Sequence, residues 1–234
     1  MNDMKRYKFL VLALLIGALY VSCTEHEIAL YDGAECINFH SSKIAYTFRD
    51  SDYVKGLEWV ELAVVVEIQG DVKKSRDFCL TTEVNSSYTD KAHVEAEDKY
   101  TYTALDTITQ SVTIRAERPE KVTTQEPWGV NIVFDVNNPL HRFAPGREDR
   151  RACKVEIHYK IRPDGWLSFF WGKYSDGKYL FMMDVLRKAY REIPLIGSVI
   201  LAEREKVRTA YTEYLKTNPP LLDEDGGEIV FDRQ

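Results

Sequence analysis

The sequence predicts a mainly β protein, an immunoglobulin-like antiparallel β-sandwich followed by a small α-helical C-terminal domain. Residues 34–162 contain a series of short segments in which apolar and polar residues alternate with a period of two, and turn-forming residues separate them. No helical period occurs among these segments, which is typical of a sandwich. From residue 163 onward the apolar residues recur at helical spacing, so residues 163–234 form the predicted helical domain.

The N-terminal segment predicts where the chain is delivered. Three cations precede an uninterrupted apolar run at residues 9–20, the pattern of a secretory signal peptide, so we expect residues 1–22 to be removed. The ending Tyr20-Val21-Ser22-Cys23 resembles a bacterial lipobox, although the position of Tyr20 is usually leucine. Lipidated Cys23 would then begin a tether, residues 23–33. The alternative is an ordinary signal peptide with Cys23 as an incidental thiol.

The strands are predicted by their alternation. The clearest is residues 60–68, in which every second residue is apolar. The other predicted strands are residues 35–40, 44–48, 77–84, 111–115, 130–136 and 152–161. Residues 85–99 have no strong period, and we interpret them as a crossover loop with a short helical turn.

Two helices are predicted in the C-terminal domain. The first covers residues 178–191, and the second covers residues 200–215 with an apolar stripe on one side. Glu203 and Arg204 are assigned to the opposite, polar side. Residues 223–227 form a turn that leads into a short terminal strand, residues 229–231. A domain of about seventy residues is marginal alone, so we expect it to pack on the sandwich.

Charge and cysteine content limit the classes of partner. Removing residues 1–22 takes away three basic residues and one acidic residue, which moves the formal charge from -6 to -8. This disfavours nucleic acid as a partner. Cys36, Cys79 and Cys153 remain beside lipidated Cys23, so at most one internal disulfide can form. Cys153 alternates in phase with its apolar neighbours, which predicts a small core residue. If a disulfide forms, Cys36 and Cys79 are the weakly favoured pair.

Several short motifs together resemble one protein family. They are the lipobox-like start, Ile37-Asn38-Phe39, Arg76-Asp77-Phe78, residues 92–100, Phe143-Ala144-Pro145-Gly146, Trp166, residues 172–179 and residues 221–229. This set resembles a family of Bacteroidota outer-membrane lipoproteins that carries a domain of unknown function. The resemblance implies a secreted lipoprotein, commonly associated with SusC/SusD-like nutrient importers, and it implies no catalytic residues.

No constellation in the sequence identifies a reaction. The five histidines lack the spacing of a zinc site, and the acidic cluster at residues 223–227 lacks the ligand spacing of a calcium loop, so we predict no metal and no cofactor. Nucleophile-elbow, phosphate-loop and dinucleotide motifs are also absent from the sequence. We therefore predict no catalytic residues and a protein that is not an enzyme.

The aromatic residues are the best candidates for ligand contact, because flat apolar rings can stack on sugar rings. The candidates are Trp59, Trp128, Trp166, Trp171, Tyr174 and Tyr179. Trp128 lies in the sequence Gln-Glu-Pro-Trp-Gly, which predicts an exposed loop, and its indole could stack on a sugar ring. The alternative is that the tryptophans pack inside the protein, as large aromatics usually do. Trp166, Trp171 and Tyr174 are assigned to packing between the helical domain and the sandwich.

The leading hypothesis is a non-enzymatic accessory lipoprotein of a SusC/SusD-like uptake system for glycans or peptides. The alternative is an independent surface module that binds a glycan or peptide, and a third hypothesis is a hydrolase. The expected location is the outer membrane, with a lipid anchor at Cys23. The cell surface is the favoured face, and the periplasmic face stays open.

Replacing Cys23 with Ala should release the protein from membranes and leave the fold intact, because the tether carries no core residue. Membrane fractionation with circular dichroism of the released protein measures both. A Cys23→Ala variant that still sediments with membranes would show that lipid is not the anchor.

Overall fold

The computed structural model describes residues 35–122 and 126–231. The predicted signal peptide, Cys23 and the tether lie outside these residues. The strands are β1 (Cys36–Phe39), β2 (Lys43–Phe48), β3 (Trp59–Gln69), β4 (Arg76–Phe78), β5 (Leu80–Glu83), β6 (Val94–Glu95), β7 (Tyr100–Tyr102), β8 (Thr109–Glu117), β9 (Trp128–Phe134), β10 (Ala144–Pro145) and β11 (Ala152–Tyr159). The helices are α1 (Asp50–Val54), α2 (Ser168–Trp171), α3 (Asp176–Leu186) and α4 (Gly197–Tyr214).

Two sheets pack face to face and confirm the predicted sandwich. Their strand orders are β10-β1-β3-β8-β6 and β2-β11-β9-β5, and β4 with β7 forms a separate ribbon. The ring of Phe39 in β1 stacks on that of Phe134 in β9, with centroids 4.3 Å apart. The grouping of β1, β3, β8 and β6 opposite β5, β9 and β11 has the strand order of the immunoglobulin fold.

The predicted sandwich is not wholly antiparallel. β1 pairs in parallel with β10, and β2 pairs in parallel with β11. The reason is that β1 and β2 are consecutive pieces of one path that changes sheets at residues 40–42 without reversing. β2 therefore runs alongside the last strand in the same direction.

Apolar and polar residues alternate along the strands and place the core between the two sheets, as predicted. In β3, Leu62, Val64, Val66 and Ile68 are buried, while Glu61 and Ala63, on either side of Leu62, are exposed. In β11, Cys153, Val155, Ile157 and Tyr159 are buried in the same way. Each sheet thus presents one apolar face to the other.

The predicted strand at residues 77–84 is wrong in its extent. It is two strands, because β4 pairs with β7 whereas β5 pairs with β9. The chain changes partner at Cys79, whose backbone N–H donates to Nδ1 of His141 at 3.2 Å. Val84 and Val136, the last residues of the predicted strands 77–84 and 130–136, lie beyond the ends of β5 and β9 and are exposed. Residues 85–99 contain the short strand β6 and no helical turn.

The cysteine assignments are also corrected. Cys79 is a buried free thiol, so the favoured disulfide with Cys36 is not formed. Cys153 is buried as predicted, and burial raises the pKa of its thiol to about 11. Both thiols therefore behave as small core residues.

Both predicted helices are present with different boundaries: α3 begins and ends earlier than predicted, and α4 begins three residues earlier and ends one residue earlier. The Ser175 hydroxyl caps the start of α3 by accepting from the Lys178 N–H at 3.2 Å. The helix ends at Leu186 because Arg187 adopts a left-handed conformation, with φ of 53°. Among the described residues, no helix is long and apolar enough to cross a membrane.

Two assignments in α4 and the tail are wrong. Glu203 and Arg204 were placed on the polar side of the helix, yet both are buried. The Glu203 carboxylate is satisfied there by the ammonium groups of Lys188 and Lys206, at 2.8 and 3.1 Å. Residues 229–231 form no strand, and only an isolated bridge joins Leu222 to Glu228.

The helical segment is joined to the sandwich through α1. The buried Tyr179 hydroxyl donates to Oδ2 of Asp50 at 2.7 Å and accepts from the Tyr190 N–H at 2.7 Å. The Tyr53 hydroxyl donates to Asp184 at 2.9 Å. The described residues belong to one compact unit, and a separate helical domain stays a prediction.

Glu35 and the helical segment lie at opposite ends of the sandwich. The Glu35 carbonyl accepts from the Ala144 N–H at 2.9 Å, near the start of β1. The other end is where β2 and β11 finish, with Phe48 paired to Tyr159. The eight residues of β11 alone separate these ends by about 25 Å.

Replacing Tyr179 with Phe should lower the free energy of unfolding by about 1–3 kcal/mol, because it removes the donor to Asp50 and the acceptor for the Tyr190 N–H. Urea denaturation measures this. The control is Tyr214→Phe, since the Tyr214 hydroxyl has no hydrogen bond with the described residues. Equal stability losses for the two variants would contradict the assignment.

Candidate functional site

A cleft of about 730 Å³ opens at the start of the helical segment. Nine residues line it: Arg162, Pro163, Asp164, Gly165, Trp166, Ser168, Gly172, Lys173 and Tyr174. All of them follow β11, so the end of the sandwich positions one wall and α2 positions the other. We call this site the 162–174 cleft.

The backbone shape of the cleft depends on two glycines. Gly165 has φ of +77° and Gly172 has φ of +73°, conformations that side chains disfavour. Gly172 ends α2, and its carbonyl accepts from the Trp166 indole N–H at 2.9 Å. The two turns are thereby tied together across the cleft.

Trp166 is the central aromatic residue of the cleft. Its ring stacks on Tyr190 with centroids 5.5 Å apart and meets the ring of Tyr174 edge to face at 5.1 Å. Trp166 is only partly buried, whereas Trp171 and Tyr179 behind it are buried. The packing role assigned to Trp166 and Tyr174 is therefore incomplete, because both also line an open cleft.

Tyr174 is held by a carboxylate and carries a cation on its face. Its hydroxyl donates to Oδ1 of Asp176 at 2.6 Å, and burial together with this bond raises the pKa of Tyr174. The guanidinium carbon of Arg162 lies 4.9 Å from the centre of the Tyr174 ring. Among the described residues, no hydrogen bond or ion pair engages the Arg162 guanidinium.

Asp176 has an unusual environment beneath the cleft. Its pKa is raised, first by burial and then by the nearby Glu224 carboxylate, while Arg162 opposes the shift. Glu224 itself accepts from the Asp176 backbone N–H at 2.5 Å. The C-terminal tail is thus attached to the first turn of α3.

Lys173 connects the cleft to the acidic turn at residues 223–227. Its ammonium group lies 3.3 Å from Asp223 and 3.0 Å from Asp225. Asp223 also accepts from the Gly227 N–H at 2.7 Å, and these contacts lower its pKa. Backbone N–H groups of the turn and the Lys173 ammonium thus engage the carboxylates of Asp223 and Asp225. The described residues hold no group of three or more His, Cys, Asp or Glu that could bind a metal ion.

Trp128 is not on a loop. It is the first residue of β9, pairs with Ile157 of β11 and packs partly buried against the core. It has the same strand phase as Val130 and Ile132, which are buried. Ligand binding by Trp128 stays a prediction, and its indole is more embedded than the sequence indicated.

Sequence reasoning missed the polar residues of the cleft. Arg162, Asp164 and Ser168 lie in and beside a turn, and nothing in their spacing indicates a common site. The available signal is the run of aromatic residues that begins directly after this turn at Trp166. For these aromatic residues the sequence allows stacking on a sugar ring or packing, and it favours packing.

No family model matches the chain, and no curated protein matches it. Among solved structures, the apo form of the Calx CBD1 domain matches 54% of this chain and 98% of its own, at 14% identity and a TM-score of 0.37. A proposed carbohydrate-binding protein from Bacteroides ovatus matches over 54% of this chain and 37% of its own, at 5% identity and a TM-score of 0.40. The SrpA adhesin from Streptococcus sanguinis matches over 69% of this chain and 78% of its own, at 14% identity and a TM-score of 0.32. Likenesses at this level carry no argument about ligand or activity.

Asp176→Asn should gain stability relative to the wild type as the pH rises from about 4 to 7. A carboxyl with a raised pKa binds more protons in the folded state, so the wild type loses stability as the pH rises from the unfolded pKa through the folded one. Urea unfolding across this range measures the difference. The control is the exposed Asp164→Asn. A difference between Asp176→Asn and wild type that does not change with pH would contradict the assignment.

Proposed function

We propose that this protein is a non-enzymatic surface binding module whose 162–174 cleft binds a saccharide. The observation that carries the proposal is the Arg162 guanidinium, stacked on Tyr174 without a described hydrogen-bond partner, beside Trp166 in one cleft. The cleft volume, about 730 Å³, is in the range of small-ligand sites.

The lining has the composition that a sugar ring requires. Trp166 and Tyr174 offer apolar ring surface, while Arg162 can donate to hydroxyl oxygens. Asp164 and Ser168 are exposed and can accept from hydroxyl groups. Hydrolysis of a glycoside needs two carboxylates across the bond, and among the described lining residues Asp164 is the one carboxylate, which supports binding rather than turnover.

The position of the cleft supports presentation at a surface. If Cys23 is lipidated, the anchor joins the chain before Glu35, and the 162–174 cleft lies at the opposite end of the sandwich. A peptide ligand is the alternative occupant of the same site.

We further propose that the module serves a SusC/SusD-like outer-membrane importer as an accessory lipoprotein. The support is the set of short motifs described above and the lipobox-like start. A mild-detergent pull-down from the native outer membrane should recover a TonB-dependent barrel and its lid lipoprotein. Recovery of the protein alone would favour an independent surface module.

Ser168→Trp should fill the cleft and weaken saccharide binding by about tenfold or more, because Ser168 is exposed at the cleft wall. Calorimetric titration of a glycan-array hit against the full chain in detergent measures this. Surface substitutions usually change stability by less than about 0.5 kcal/mol, so the melting temperature should stay close to that of the wild type.

Trp128→Ala provides the comparison between the two candidate sites. It should keep the affinity and lower the melting temperature, because Trp128 packs against the core. Loss of binding in Trp128→Ala with full binding in Ser168→Trp would place the ligand at Trp128. A glycan array without any hit would contradict saccharide binding.

A further inference from the structure

We infer that the saccharide bound by the 162–174 cleft carries a carboxylate, as a hexuronate does, and that Arg162 binds this group. The inference rests on the proposed function and names the class of sugar. It is carried by the charge of the cleft, by the free donors of Arg162 and by the way Tyr174 is fixed.

The charge of the cleft lining differs from that of the protein. The whole chain has a formal net charge of -6, yet this lining has two cations, Arg162 and Lys173, and one carboxylate, Asp164. A second cleft of about 640 Å³ has the opposite balance. Its charged lining residues are Glu58, Glu117, Glu120, Asp176, Glu224, Arg118 and Lys121. Since Asp223 and Asp225 neutralise Lys173, the first cleft has one available cation against one carboxylate, whereas the second has a negative lining that repels an anionic sugar.

Arg162 is the cation of the cleft that is available to a ligand. Lys173 is already neutralised by Asp223 and Asp225, which lie within 3.3 Å of its ammonium group. Arg162 has no such partner among the described residues. An arginine left without a carboxylate beside an open cleft can bind one from a ligand, and the planar fork of its N–H donors matches two carboxylate oxygens.

The Tyr174 ring favours one position of the Arg162 guanidinium before a ligand arrives. Its guanidinium lies over the Tyr174 ring, and the hydroxyl of that ring is fixed by Asp176 at 2.6 Å. This cation–π contact uses none of the N–H donors in a hydrogen bond, so they stay available to a planar anion. A preorganised donor loses less conformational freedom on binding, which favours recognition of one planar anion.

The test compares each acidic oligosaccharide with its own methyl ester. Trigalacturonate, a hyaluronan tetrasaccharide and a tetramannuronate are titrated calorimetrically into the full chain in detergent, each as acid and as ester, together with neutral oligosaccharides. We expect at least one acid to bind about tenfold or more tightly than its ester. Arg162→Gln should abolish this preference, and Arg162→Lys should retain only part of it.

Arg191→Gln is the matched control, because Arg191 is exposed in the same segment and does not line the cleft. It should keep the full preference for the acid. Equal affinity for acid and ester overturns the inference alone, since a neutral saccharide then occupies the cleft. A preference that survives Arg162→Gln also overturns it. If no acidic or neutral oligosaccharide binds, the proposed function fails and the inference fails with it.

Discussion

The hydroxyl of Tyr179 is the contact on which the arrangement of the helical segment depends. It joins Asp50, at the start of α1, to the backbone of Tyr190, and it does so with the whole side chain buried. Trp166 meets the Tyr179 ring edge to face at 5.8 Å. The wall of the cleft is therefore built on a residue that is itself fixed to the sandwich, because α1 lies between β2 and β3.

The two ends of the sandwich differ, because only one of them holds the helical segment and its cleft. The chain enters the sandwich at Glu35, and the strands carry it to the end where the helical segment begins. At that end Tyr174 is fixed by Asp176, and Arg162 is fixed by Tyr174. These contacts run from the interior to the open cleft. They restrict the position of the Arg162 guanidinium, whose N–H donors make no hydrogen bond with a described residue.

The periodicity of the apolar residues predicted the strands and helices. It could not predict which strands pair or which side chains meet. The alternation in β3 is local information, and it correctly placed Leu62 and Ile68 in the core. The change of sheet at Cys79 depends on His141, which is distant in sequence. In α4, Glu203 lies three residues after buried Ile200 and thus on the buried side, but its residue type suggested solvent. Of the two lysines that neutralise it, Lys206 is three residues along the same helix and Lys188 lies outside α4.

The sequence does not predict the cleft for a related reason. Its aromatic residues are visible in the sequence, and they do pack together as expected. Whether such a cluster is closed or open depends on the turns at Gly165 and Gly172, whose backbone conformations are not encoded by spacing. The availability of Arg162 is likewise a property of what surrounds it in three dimensions.

The most direct measurement of saccharide binding in the 162–174 cleft uses the four tryptophan indoles as reporters. A ¹⁵N-tryptophan sample gives one indole N–H resonance per residue, assigned by single Trp→Phe variants and followed while a bound oligosaccharide is titrated. The account predicts that the Trp166 resonance shifts with saturation and that those of Trp59 and Trp128 stay unchanged. A saturable shift of Trp128 with Trp166 unmoved would contradict it.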